Sequence, residues 1–197
     1  MANQLGLLEP PLSTPDGFIY RPGLISSGEQ SEIIRQVRDL PFQEFEFQGY
    51  RGKRRVVSFG HHYDFAQSKL QPAAEMPGFL LSLRDAAARF ARLASDELPH
   101  ALVTEYSVGA AIGWHKDRPV FEDVIGISLL SACRFRFRKK LDRGWARATV
   151  ILEPGSAYLL RGPARSEWEH SIPEAESLRY SITFRSLKRR TQKTLRS

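Results

Sequence analysis

The stretch Trp114-His115-Lys116-Asp117 sets two potential metal ligands at positions i and i+2. In an extended segment those positions project to one side, so the His115 imidazole and the Asp117 carboxylate can face one cation together. With Lys116 and Arg118 beside them, the same residues also describe a surface ion pair. A third ligand has to come from elsewhere. His61 and His62 lie in a basic N-terminal region and His100 in a Leu-Pro-His connection. His170 follows the turn-rich run Arg161-Gly-Pro-Ala-Arg and precedes Ser171-Ile-Pro173, at the rim of the late strands. Two histidines and a carboxylate cover one face of an octahedral ion and leave positions open, the facial set of non-haem Fe(II) centres.

A second constellation is Arg179-Tyr-Ser-Ile-Thr-Phe-Arg185, whose arginines are an even number of residues apart and so share one face of a strand. Guanidinium groups hold carboxylates by paired, charge-assisted hydrogen bonds. Two of them turned inward are costly to bury without anions to pair with. The alternative is an exposed basic face, with Ser181 and Thr183 accompanying the arginines outward and Ile182 and Phe184 inward. Periodicity admits both.

The elements that must position these residues change along the chain. Phe18-Ile19-Tyr20 reads as a short strand. Ser27, with Gln30 three residues on, forms a capping-box pattern for a helix ending near Leu40. Phe42–Phe47 alternates as a strand, Gln48–Gly52 is turn-rich and basic, and Val56–Phe59 is a further strand. A second helix spans about Gly78 to Ala94. Beyond Pro99, strand-like runs follow one another at Ala101–Tyr106, Val124–Leu130, Arg134–Arg138, Ala148–Leu152, Ala157–Leu160 and Arg179–Phe184. Helices first and closely spaced strands after them predict an antiparallel sandwich or barrel with helices packed outside, not a doubly wound parallel sheet.

Composition bounds the rest. A chain of 197 residues is long enough for one domain with a sizeable core. Its single cysteine, Cys133, excludes an internal disulfide framework. No apolar run approaches the length of a membrane span, and the N-terminus lacks the features of a secretory signal, which points to a cytoplasmic protein. Lys and Arg total 29 against 22 Asp and Glu, a net charge of +7. The excess is clustered at Arg51–Arg55, along Arg134–Arg147 and in a tail over 188–197. Such clusters attract polyanions, although a solvated tail is equally ordinary. The acidic Phe121-Glu122-Asp123 reads as solvated loop charge.

Taken in order, His115-x-Asp117, His170, Arg179 and Arg185, with Glu105-Tyr106-x-x-Gly109 upstream and Gly155–Leu160 before the last histidine, resemble the AlkB-like Fe(II)/2-oxoglutarate-dependent dioxygenases. The resemblance covers roughly Pro99 to Arg185 well and the N-terminal half loosely. It implies a double-stranded β-helix of jelly-roll type with N-terminal helices: an all-β core with flanking helices (α+β), in one domain over 1–197. Its catalytic core would span about 99–187. It implies that His115, Asp117 and His170 ligate Fe(II). Tyr106 and Arg179 would hold the distal carboxylate of 2-oxoglutarate and Arg185 the carboxylate beside the keto group, with Thr104 and Thr183 in the same cofactor-binding set. With O2, oxidative decarboxylation would give succinate and CO2, and an N-methyl group would leave as formaldehyde.

The resemblance further implies a nucleotide-recognition lid over about 41–70. There Arg51, Arg54 and Arg55, with Lys53, would contact phosphates, and Tyr50, His61 and Tyr63 would stack on or hydrogen-bond a flipped base. Two positions depart from the family's DNA-repair members: Thr104 replaces an Asn, and Pro119 replaces an acidic residue that helps recognise the damaged base. The leading expectation is oxidative demethylation of N-alkylated bases in DNA or RNA by a monomer. A protein side-chain hydroxylase or demethylase of the same chemistry is the alternative favoured by Pro119. A non-catalytic metal-binding cupin-type module is the third, and it would have no use for Arg179 and Arg185.

Overall fold

A computed structural model describes residues 14–47, 50–64, 67 and 69–188, with the backbone alone at 45–47 and 50–52. The side chains of Tyr50 and Arg51, and the tail beyond Lys188, lie outside the described residues.

Helix α1 (Ser27–Arg38) starts at N-cap Ser26, whose hydroxyl accepts from the Glu29 backbone N–H while the Glu29 carboxylate accepts from the Ser26 N–H at 2.9 Å. This capping box lies one residue earlier than Ser27 and Gln30 suggest. The doublets Ser26-Ser27 and Glu29-Gln30 allow both registers, and the chosen one sets a carboxylate at the positive end of the helix. Gln30 is used elsewhere: its side-chain carbonyl accepts from the Leu130 N–H at 3.0 Å. Helix α2 (Gly78–Ala91) buries Leu80, Leu83, Ala87, Ala88 and Ala91 on one stripe and stops at Arg92, which is left-handed at φ 57°.

The larger sheet sets seven strands side by side in the order β1 (Phe18–Arg21), β11 (Ala157–Leu160), β8 (Phe121–Leu129), β13 (Arg179–Leu187), β6 (His100–Tyr106), β3 (Tyr50–Phe59) and β2 (Gln43–Phe47). The smaller sheet is β10 (Trp145–Leu152), β9 (Cys133–Lys140), β12 (Glu169–Ile172) and β7 (Ile112–His115). Strands β4 (His61–Asp64) and β5 (Lys69–Pro72) form a separate hairpin, and a single-turn helix, α3 (Gly162–Ser166), precedes β12. The ladders between these strands are antiparallel.

Two cores follow from this layering. One face of the larger sheet, through Val103, Ile127, Ile182 and Phe184, packs against α1 and α2. The other face, through Tyr106, Val124, Tyr158 and Leu160, packs against Phe135, Phe137, Leu152 and Ile172 of the smaller sheet. This is the jelly-roll type, with helices outside one sheet, as expected. Strand β13 is buried on both faces, which is why its periodicity admitted two readings. Ile182 and Phe184 face the helices, while Arg179, Ser181, Thr183 and Arg185 line the space between the sheets.

Several elements differ from expectation. The basic segment before Val56 is not a turn beyond Tyr50, because β3 is paired with β2 on one side and β6 on the other, and that pairing outweighs weak intrinsic strand preference. Strands β7 and β12 are only four residues each, and their short polar sequences give little strand signal. Asp123 is not a solvated loop charge: it is buried in β8 and ion-paired with Arg161, whose guanidinium also donates to the Ala91 carbonyl at 2.9 Å. At the corner from β3 into β4, Gly60 adopts φ +72°, and a Cβ there would stand 2.0 Å from the Pro99 carbonyl oxygen. Only glycine fits that corner. No helix among the described residues is long and apolar enough to cross a membrane.

Candidate active site

Between the two sheets lies a cleft that opens to solvent. Strand alternation brings the chemistry-bearing residues to it. From β6 come Thr104 and Tyr106, and from β13 come Arg179, Ser181, Thr183 and Arg185. From the facing sheet come His115 at the end of β7 and His170 in β12, with Asp117 just beyond β7.

His115 and His170 are direct register partners on neighbouring strands, their ring centroids 4.2 Å apart at an interplanar angle of 59°. The His115 Nδ1 lies 2.9 Å from the Gly113 carbonyl oxygen, so as donor there it leaves Nε2 as a lone pair. Asp117 turns one oxygen to each side: Oδ1 accepts from Arg185 Nε at 2.8 Å, and Oδ2 is 3.6 Å from His170 Nε2. Burial pushes the His170 pKa down to about 3, with His115 adding to the effect, and burial likewise lowers His115. Burial alone would raise the Asp117 carboxyl, but Arg185, His170 and His115 outweigh it and hold it well below the usual carboxylate range. Two neutral imidazoles and one carboxylate are the deprotonated donors a divalent ion requires.

As placed, no three His, Cys, Asp or Glu side chains among the described residues stand close enough to hold a cation. Adjacent donors on an ion with bonds of roughly 2.1 Å sit about 3 Å apart, so Asp117 and His170 need to approach by about half an ångström. The donor chemistry fits Fe(II), and closure of that size is within side-chain adjustment.

The cleft also holds a buried cation. Arg179 is 1% exposed. Its Nη2 donates to Ser128 Oγ at 3.1 Å and its guanidinium carbon lies 4.7 Å above the Tyr106 ring centroid. Its Nε and Nη1 have no hydrogen-bond partner. A buried cation with two unsatisfied donors is expensive to maintain, and a carboxylate supplies the complement. Arg185 offers a second cation beside Asp117, with its Nη1 3.4 Å from His100 Nδ1.

His100 stands beside the site with no motif to mark it. It is 3% exposed, pairs in register with Arg185, and is kept neutral by burial and then by that arginine. The available signal was its even spacing with Leu102, Thr104 and Tyr106. Arg165 likewise carries no motif: it donates to the carbonyls of Arg118 and Phe121 and so ties down the segment after Asp117.

The expected lid residues are divided by strand alternation. Arg54 lines the cleft beside its register partner Tyr106. Arg55 is turned to the opposite face, where it forms a two-pronged ion pair with Glu105 at 2.8 and 2.9 Å and stacks over Phe42. His61 Nδ1 faces the Pro99 carbonyl at 3.3 Å, and Tyr63 lies under Arg118 at 5.3 Å. Neither lines the cleft. Trp114 points away from the site and stacks with Arg136 and Arg138, whereas Trp168 packs edge-on against Phe137.

Known proteins resemble this chain in sequence and fold. A profile of the 2OG-Fe(II) oxygenase superfamily matches residues 17–185. A protein of Arabidopsis thaliana named Alkylated DNA repair protein ALKBH8 homolog is 26% identical over 193 residues, which cover 86% of this chain and 54% of the relative. The chain thus spans about half the length of the curated relative it matches. The solved structure of OsALKBH1 superposes with a TM-score of 0.64 at 19% identity, over 86% of this chain and 98% of that one. An oxidoreductase of the 2OG-Fe(II) oxygenase family from Burkholderia pseudomallei gives 0.62 at 15% identity, over 87% and 85%. At such identities the two structures speak to fold, and the superfamily profile, spanning most of the chain, decides membership. The chain belongs to the 2OG-Fe(II) oxygenase superfamily.

Proposed function

We propose that this dioxygenase demethylates N-alkylated bases in DNA or RNA, binding Fe(II) through His115, Asp117 and His170. The distal carboxylate of 2-oxoglutarate falls to Tyr106 and Arg179, and the carboxylate beside its keto group to Arg185. Thr104 and Thr183 line the same wall. The observation that carries this reading of the site is Arg179, buried with two donors unpaired. For the substrate, support comes from the relative named for alkylated DNA repair and from the basic outer face of the smaller sheet. The unit is one domain, with the segment around 41–70 acting at the substrate side.

When bound, Fe(II) with 2-oxoglutarate and O2 supplies the oxidant that hydroxylates an N-methyl carbon, which then leaves as formaldehyde while the keto acid becomes succinate and CO2. The chain's residues prepare that chemistry. His115 and His170 present lone pairs with no proton to displace, because both are held neutral. Arg185 fixes the Asp117 carboxylate through Oδ1, so that Oδ2 faces His170. Phe135 and Tyr158 wall the cleft with aromatic surface and limit water.

A protein side-chain substrate is the second reading. Pro119, exposed two residues beyond Asp117, supplies neither a carboxylate nor an N–H to a base. The deciding experiment is decarboxylation of labelled 2-oxoglutarate with Fe(II), with and without a 1-methyladenine oligonucleotide, beside His115→Ala. Turnover stimulated by the oligonucleotide and lost in the variant is the expected result. Turnover indifferent to it transfers the search to protein substrates, and none with iron loaded overturns the assignment.

A further inference from the structure

Tyr106 stands between two arginines across three adjacent strands. Register pairs Arg54 of β3 with Tyr106 of β6, and Tyr106 with Arg179 of β13. All three line the cleft. Arg179 lies over the Tyr106 ring, and Arg54, its register partner on the other side, brings its guanidinium within reach of the Tyr106 hydroxyl. Arg54 was expected to meet substrate phosphates, yet its neighbour Arg55 holds the outward position and Arg54 is half-buried.

We propose that Arg54 is a positioning residue for the cosubstrate, fixing the Tyr106 hydroxyl so that its proton is offered to the distal carboxylate of 2-oxoglutarate. A phenol oxygen carries one proton and accepts through its lone pairs, whereas a guanidinium only donates. With Arg54 donating, Tyr106 becomes an acceptor toward β3, and the single O–H is left for the anion that satisfies Arg179. A donor on the phenol oxygen also polarises its O–H and strengthens the bond it gives. The consequence is that β3, outside the catalytic core expected from sequence, takes part in cosubstrate recognition. This rests on the reading that Tyr106 and Arg179 hold the distal carboxylate.

The test is calorimetric binding, without oxygen, to protein loaded with Mn(II). The probes are 2-oxoglutarate and oxalate, which keeps a chelating end and lacks the distal carboxylate. Arg54→Met is expected to weaken 2-oxoglutarate about tenfold, the scale of a lost charge-assisted hydrogen bond, and to leave oxalate within about twofold. Arg54→Lys restores most of the loss. Equal weakening of both probes shows a merely structural role and overturns the proposal, as does no change in either. Arg179→Met separates the failures. If it selectively loses 2-oxoglutarate while Arg54→Met does not, Arg54 alone is misassigned. If neither variant distinguishes the probes, the distal-carboxylate reading falls with it.

Discussion

Arg179 binds Ser128 with one nitrogen and stacks on Tyr106, but its remaining donors are stranded in a buried site. Replacing a buried charge by a well-packed apolar side chain is often neutral or stabilising, by about 1–4 kcal/mol in favourable cases. Arg179→Met is therefore expected to match or exceed the wild type in urea unfolding without ligand, while its 2-oxoglutarate affinity in calorimetry falls by about tenfold or more. Stability and function part at this one residue. His100 makes a pH prediction. Burial and then Arg185 hold its pKa well below the ordinary 6.5, so the unfolded chain takes up a proton that the folded chain refuses. The stability this gives is complete above about pH 6.5 and declines as pH falls, by up to about 1.4 kcal/mol per pH unit for each such histidine. Urea midpoints of the metal-free protein should drop between pH 7.5 and 5.5, and His100→Asn should flatten that slope.

At the scale of elements, strand β9 alternates Phe135 and Phe137, buried against the larger sheet, with Arg134, Arg136 and Arg138 on the outer face. Arg147 of β10 lies directly opposite Arg138, a like-charge pairing that costs stability unless something anionic attends it. Glu169 offsets Arg138, and Trp114 and Trp145 flank its guanidinium at 4.6 Å each. Reversing Arg134 and Arg147 to Glu is expected to weaken binding of a single-stranded oligonucleotide about tenfold at low salt. The slope of log affinity against log salt should fall by about 1.4 for two lost phosphate contacts. An unchanged slope places the polyanion on another surface.

The same element shows what could be read in advance. Strict alternation made β9 legible, and the apolar run made β11 legible to the residue. Strands β7 and β12 were not, because His115 and His170 sit in four-residue segments specified by their partners rather than by their own composition. Even so, the candidate ligands stand out as a motif, since motif and strand are encoded separately. Arg54 and Arg55 show the limit: adjacent in sequence and equal in charge, they are sent to opposite faces by a register that one strand cannot declare by itself.

At the scale of the molecule, the candidate ligands join two layers. His115 and His170 belong to the smaller sheet, and Arg179 and Arg185 to the larger one. An ion and a dicarboxylate bound between them should therefore brace the whole sandwich. At about one hundred times Kd, Mn(II) with 2-oxoglutarate adds about 2.7 kcal/mol. For a chain of this size that raises Tm by roughly 5–10 °C, a shift that differential scanning calorimetry should show and a chelator should reverse.

Strand β13 lies between β8 and β6 and follows both in the chain. During synthesis those two strands must therefore wait on the ribosome with a gap between them and their facing backbone edges unpaired. Nascent chains interrupted before Arg179 would present two sticky edges, the kind that chaperones bind and that aggregates grow from. The segment that fills the gap also delivers Arg179 and Arg185, so these two arginines and the finished sheet arrive in one step. Closing the sheet thus removes the exposed edges and adds both arginines to the cleft at once.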